Sequence, residues 1–266
     1  MEPVEGAQTF HTSGAAYDAF MGRYSRALAP LFADHLGVTA DHRALDLGCG
    51  PGSLTAELVG RLGTDAVAAC DPSPPFLEAC AQRHPGIEAR AGRAEAIPFP
   101  DHSFDVAAAQ LVLHFVTDAP AAARELRRVV RPGGIIGACV WDFDEGMEML
   151  RAFWDAALEL DPDAPDEART LRFGRAGEIA ELFADAGLDN IDETTLEART
   201  TYHDFDELWD GFCAGIGPAG AYCVSLPDEQ RTQLRSRFSR RLGFPTTGFT
   251  LQAIARSTTA ARPAST

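Results

Sequence analysis

At 266 residues, 45% of them hydrophobic, the chain is long enough for one large domain, or a domain with a cap, around a sizeable core. Its formal net charge of −16, without a Lys/Arg stripe, argues against a nucleic-acid partner. The six cysteines have no C-x-x-C spacing, which argues against a zinc site or disulfide framework; residues 1–5 lack a basic, then apolar, leader pattern, and no apolar run reaches bilayer length, so a cytoplasmic protein without a membrane partner is expected.

In chain order, Phe20, Tyr24 and Leu28 recur at helical spacing, which predicts an amphipathic helix near the start. Apolar runs with strand character follow at 43–47, 66–70, 87–91, 104–109 and 135–140. Helical patterns at 54–62, 75–83 and 119–130 and a turn at 94–97 separate them. Strands alternating with helices imply a parallel sheet with right-handed crossovers. The third helix should stop at Arg131-Pro132-Gly133-Gly134. Beyond Trp141 the pattern changes to helices at 147–160 and 176–186, a strand at 188–199, helices at 205–213 and 228–242, and a strand at 249–255. The polar, small-residue stretch 257–266 reads as a disordered tail. Gly215–Gly220 reads as a flexible turn between two cap helices.

Chemistry concentrates where the first strand ends. Asp46 is followed by Gly48, Cys49, Gly50, Pro51 and Gly52, and Ser53 is placed to cap the next helix. Glycines between a strand and a helix let the backbone approach a ligand closely. A dinucleotide fingerprint, G-x-G-x-x-G, wants its third glycine at position 53, where serine stands. Asp46 would also repel a pyrophosphate and attract an ammonium. Asp71-Pro72 ends the second strand, where a carboxylate can accept both ribose hydroxyl protons or cap the helix that follows.

Written D-x-G-x-G-x-G, the first loop resembles motif I of the class I S-adenosylmethionine-dependent methyltransferases. The stretch from Gly92 through Ala94, Glu95, Pro98 and Phe99 to Phe104-Asp105 is similar to that family's G-D-A-E-x-L-P-F-x-x-x-x-F-D block, and Leu126 to Gly134 to its L-x-R-x-L-R-P-G-G turn. Together these cover about residues 40–142. The resemblance implies an α/β fold: a doubly wound, mostly parallel seven-stranded, Rossmann-like sheet with helical cap insertions. It divides a single domain, 1–256, into a core of 40–142, 175–199 and 248–256 and cap segments of 10–39, 143–174 and 200–247.

It also implies a methyltransferase that passes a methyl group from S-adenosylmethionine to a small-molecule acceptor by in-line displacement, leaving S-adenosylhomocysteine. Asp46, Gly48, Cys49, Gly50, Gly52, Asp71, Pro72, Ala94 and Glu95 would hold the cofactor, with Gln110 and Leu111 beside it and Tyr24 closing over its methionine end. Arg93 stands where the family has an aspartate and, as a guanidinium, has no acceptor for an adenine amine. His114 is the nearest candidate base, and a histidine packed in a helical turn is the alternative. Tyr24 and the later aromatics equally suit core packing. Positioning would supply most of the rate. A nicotinamide-dependent oxidoreductase, or a protein that binds S-adenosylmethionine without methylating, are the competing readings.

Overall fold

The computed structural model describes residue 18 and residues 20–264. Seven strands form one sheet: β1 Ala44–Leu47, β2 Val67–Asp71, β3 Glu88–Ala91, β4 Phe104–Gln110, β5 Val130–Trp141, β6 Asp189–Tyr202 and β7 Phe249–Ala261. Their order is β3-β2-β1-β4-β5-β7-β6. Every pairing from β3 to β5 is parallel, and β7 runs antiparallel between β5 and β6. The doubly wound, Rossmann-like α/β sheet expected from the motifs is therefore present.

Strand residues divide by parity, as the period of 2 in a strand requires. Ala44, Val106, Ala108, Cys139 and Trp141 face one buried apolar layer, while Leu45, Leu47, Ala107, Ala109, Ile136, Ala138 and Val140 face the other. On the first face lie α1 Gly22–His35 and α2 Ser53–Leu62. On the second lie α4 Ala119–Val129 and α7 Glu178–Asp185. Helix α3, Pro74–Arg83, follows β2. Gly137 lets α1 approach β5, because a Cβ there would collide with Leu36 and crowd Phe32. Helix α1 thus belongs to the layer flanking the sheet, not to a cap, although it lies within the segment 10–39. Residues 10–17 of that segment lie outside the described residues.

A helical cap comprises α5 Glu148–Leu158, α6 Glu167–Thr170, α8 Phe205–Cys213, α9 Gly217–Ser225 and α10 Asp228–Arg241. Its centre is aromatic. Phe153 and Phe212 stack with centroids 4.2 Å apart, and Phe238 meets both edge-on. Phe20 packs on Phe212 at 4.8 Å, across a gap that Gly211 leaves open. The cap core is therefore continuous with one face of the sheet. Helix α5 is tied to β7 where Gln252 N–H donates to Glu148 Oε2 at 2.6 Å.

Three expectations need correction. The stretch 257–266 is not a disordered tail: β7 runs through Ala261, with Ser257 and Thr258 buried between two strands, although 265–266 lie outside the described residues. Its polar side chains find partners: Ser257 Oγ meets His35 Nδ1, at the end of α1, at 2.7 Å. Helix α4 stops at Val129, just before Arg131-Pro132-Gly133-Gly134, as expected, but that segment is not a separate turn: it is incorporated into β5, where Gly133 N–H donates to the Arg262 carbonyl at 2.9 Å. Gly217 begins helix α9 instead of continuing a flexible turn, with Pro218 in its first turn.

Because β7 is hydrogen-bonded on both sides, truncation after Arg256 is expected to lower Tm by about 10 °C or more, or to abolish cooperative melting. Differential scanning calorimetry of the truncated and full chains checks this; an unchanged Tm would contradict the pairing.

Candidate active site

The sheet order reverses between β1 and β4, and open α/β sheets bind ligands outside the carboxyl ends of strands at such a point. A cleft of about 1080 Å³ lies there, walled by Asp46, Gly48, Cys49 and Gly50 after β1, Asp71 and Pro72 after β2, Ala94 and Glu95 after β3, and Gln110 and Leu111 after β4. The structure brings ten of the predicted cofactor residues into one wall.

The glycine loop is held by local geometry. Gly48 and Cys49 N–H donate to the Cys70 carbonyl at 2.7 and 3.1 Å, fixing the loop to β2. Gly48 and Gly50 have φ of +69° and +52°, the left-handed region where glycine is favoured. A Cβ at Gly48 would also strike Val112. Gly52, at φ +98°, turns the chain into α2 and faces His84 instead of the cleft; the helix begins at Ser53, with Gly52 as its cap residue. Gly52 thus shapes the loop without lining the site.

Both acids are buried. Asp46 is 1% exposed and accepts from Thr55 Oγ1 at 2.6 Å; burial pushes its carboxyl up to about 7, against that hydrogen bond. Asp71 accepts from Ser73 N–H and Gly50 N–H, each at 2.8 Å; burial raises its pKa while these bonds oppose the rise. It makes no cap bond to α3, whose cap residue is Ser73, but it braces the glycine loop. Among the described residues neither carboxylate has an ion-pair partner. The Cys49 thiol is raised by its hydrogen bond with Cys80 and by burial, so it stands in the wall as a neutral group.

Gln110 Nε2 donates to the Ser25 carbonyl at 3.1 Å, while Gln110 Oε1 is buried with no partner among the described residues. Glu95 Oε1 accepts from Thr117 and Asp118 N–H, tying its loop to the start of α4. Arg93 Nε lies 3.6 Å from Glu95 Oε2, so the guanidinium that replaces the family's aspartate is drawn toward its neighbour's carboxylate. These residues suit S-adenosylmethionine. The cofactor's ammonium matches the unpaired acids and the orphaned Gln110 oxygen, and the left-handed glycines open the backbone to close approach.

Tyr24 does not line the cleft. It is fully buried, meets Trp141 edge-on at 6.2 Å and has its hydroxyl 3.3 Å from that of Tyr202. Its neighbour Ser25 lines the cleft instead, one step around the helix. Sequence reasoning identified the helix but misjudged its phase. It also missed Phe76, Val112 and Phe115, which line the cleft and carry no motif of their own.

His114 lines a different space. A second cavity of about 440 Å³ lies beyond Leu111 and Phe115, which line both spaces, and is walled by Phe20, Met21, Trp141, Phe143, Leu150, Glu167 and the start of α9. Leu111 holds a left-handed φ of +62° at this junction, with its N–H donating to the Cys139 carbonyl at 2.8 Å. Such backbone strain clusters at functional sites. Burial lowers His114 to about 3, so the imidazole is neutral and a poor place to leave a proton. Glu167 was not singled out in the sequence. It is buried, accepts from Trp154 Nε1 at 2.8 Å, and is pushed up to about 7 by burial. Only its packing in the cap distinguishes it from other acids of that segment.

Known proteins bear on this geometry. The methyltransferase domain family matches residues 45–138. An uncharacterised methyltransferase of Mycobacterium tuberculosis is 30% identical over 236 residues, 85% of each chain. The malonyl-[acyl-carrier protein] O-methyltransferase of Dechloromonas aromatica is 31% identical over 235 residues, 88% of this chain and 82% of that protein. The solved structure of the YcgJ protein from Bacillus subtilis matches with a TM-score of 0.57 at 20% identity, covering 88% of this chain and 97% of that one. Aligned with methyltransferases over most of both lengths, and folded around a cleft whose acids and glycines suit the same cofactor, the chain belongs to the class I S-adenosylmethionine-dependent methyltransferases.

Proposed function

We propose that this methyltransferase holds S-adenosylmethionine in the glycine-loop cleft and transfers its methyl group to a small molecule seated in the cavity beyond Leu111. The observation that carries this reading is the shared wall: Leu111 and Phe115 line both the cofactor cleft and a largely apolar second space. The cofactor supplies a sulfonium-activated methyl; transfer forms a bond from an acceptor lone pair to that carbon, and the C–S electrons return to sulfur.

Asp46 and Gln110 Oε1 receive the amino end, Asp71 accepts from the ribose hydroxyls with its remaining lone pairs, and the backbone at Ala94 and Glu95 meets the adenine. Cys49 and Pro72 complete the wall by contact. Because the methyl carbon is already a strong electrophile, alignment of the acceptor against Leu111 and Phe115 supplies most of the rate. His114 serves as a neutral hydrogen-bonding group for the acceptor, not as the base, since burial disfavours its protonated form. A dinucleotide reading fits less well, because a pyrophosphate would lie beside two buried acids.

S-Adenosylhomocysteine is expected to stabilise the protein in thermal-shift assays and NAD to leave Tm unchanged; stabilisation by NAD alone would overturn the cofactor assignment. Asp46 adds a pH signature. If its carboxylate must be ionised to meet the ligand ammonium, affinity for S-adenosylhomocysteine falls up to about tenfold per unit below pH 7 and levels off above it. Calorimetric titrations from pH 5 to 8 should show that slope, and Asp46→Asn should flatten it.

The same substitution should act oppositely on folding. A carboxyl whose folded pKa is raised stabilises the fold at low pH and loses that contribution as pH rises through about 7. Asp46→Asn without ligand should therefore gain Tm relative to the parent at pH 8 and gain little or nothing at pH 5. Equal shifts at both values would show that the Asp46 charge is not the cause.

A further inference from the structure

The second cavity differs from the cofactor cleft in its charge. Its described lining contains no Lys or Arg, and its ring-bearing walls, Phe20, Phe115, Trp141 and Phe143, surround it with apolar surface. Two polar side chains in that lining have unsatisfied atoms among the described residues: Trp141 Nε1 and His114 Nδ1, each atom itself out of reach of solvent. Buried polar groups in native structures generally find partners, and orphans at a cavity mark places for a ligand or water.

The two orphans differ in kind. An indole N–H only donates, whereas a neutral imidazole nitrogen accepts in the tautomer that carries its proton on the other nitrogen. A hydroxyl can both accept from Trp141 and donate to His114. We propose that the cavity beyond Leu111 takes an uncharged, predominantly apolar molecule whose methyl-accepting group is a hydroxyl: its oxygen forms the bond to the methyl carbon as the C–S bond breaks, and its proton leaves to solvent water. This rests on the reading of that cavity as the acceptor site.

Other acceptor classes fit the lining less well. A carboxylate would enter a space with no cation to balance it and with the Glu167 carboxyl already in its wall. An ammonium has no lone pair for the Trp141 donor, and the burial that favours the neutral form of Glu167 weakens that residue as a counter-ion. A carbonyl compound would accept from Trp141 but give His114 nothing.

The test uses the full chain and begins with calorimetric titration of S-adenosylhomocysteine. With that ligand saturating, four matched probes follow: 4-propylphenol, propylbenzene, 4-propylbenzoate and 4-propylbenzylamine. The phenol is expected to bind at least about tenfold more tightly than the other three, the effect of about one well-made buried hydrogen bond. Trp141→Phe and His114→Phe should each reduce its preference over propylbenzene to about threefold or less, with S-adenosylhomocysteine titrated alongside as the folding control. With S-adenosylmethionine instead, mass spectrometry should detect 4-propylanisole. Equal or tighter binding of the benzoate or the amine would overturn the hydroxyl assignment. So would binding of propylbenzene as tight as the phenol, or binding of none of the four while S-adenosylhomocysteine binds. Failure of S-adenosylhomocysteine itself to bind would instead overturn the underlying reading of the cofactor cleft.

Discussion

Asp46 and Asp71 stand at the carboxyl ends of adjacent parallel strands, both buried, and among the described residues no cation is paired with either. Taking such a charge out of water costs several kcal/mol even after relaxation. Thr55 and the amides of Gly50 and Ser73 offset part of that cost, yet burial still raises both pKa values. The parallel register, with Asp46 beside Ala69, places the ends of β1 and β2 together, and the switch to β4 adds Gln110 on the other side. The fold thus gathers two buried acids and an orphaned acceptor at one point. On the proposed reading, stability withheld there is recovered when the ligand ammonium arrives.

The remainder of the site depends on how the cap is joined to this frame. Phe20, Phe153, Phe212 and Phe238 form a single aromatic core, continuous with the sheet face that carries Trp141. The arrangement leaves the second cavity between the end of β4 and the first turn of α9. Arg151 with Asp166, at 2.9 Å, and Trp154 with Glu167 hold helix α6 against α5, so the Glu167 carboxyl is placed by packing instead of by a flexible loop. A pocket built on rigid elements can align an acceptor, which is what a displacement on an activated methyl needs.

How much of this was legible in the sequence follows from how local each feature is. Asp46, Gly48, Gly50 and Asp71 lie at strand ends and turns whose chemistry is written within a few residues, and the structure places each in the cleft wall. Tyr24 shows the limit of such reading. Helical periodicity identified its helix, but which residue faces the cleft depends on how α1 packs over β5, and Ser25 takes that place. The polar stretch after Arg256 read as a tail because polarity usually marks exposure. Ser257, Thr258 and Thr259 are instead buried by the hydrogen-bonding neighbours β5 and β6, which no local pattern reveals. Glu167 was invisible for the same reason: an acid with no motif around it acquires its character only when Trp154 folds over it.

Burial acts in opposite directions on the two titratable groups of the second cavity and leads to one result. It lowers the pKa of the His114 imidazole and raises that of the Glu167 carboxyl, so each is driven toward its neutral form. On the proposed reading, the cofactor side uses buried negative charge to recognise a cation and the acceptor side suppresses charge. A methyl group passing between them leaves a sulfonium, whose positive charge is extinguished as the C–S bond breaks. On that reading the acidic cleft keeps hold of the ammonium before and after transfer, and the neutral cavity does not compete for it. An acceptor carrying its own charge would disturb that division, because the low-dielectric space beyond Leu111 would then have to compensate an ion with groups it has already neutralised.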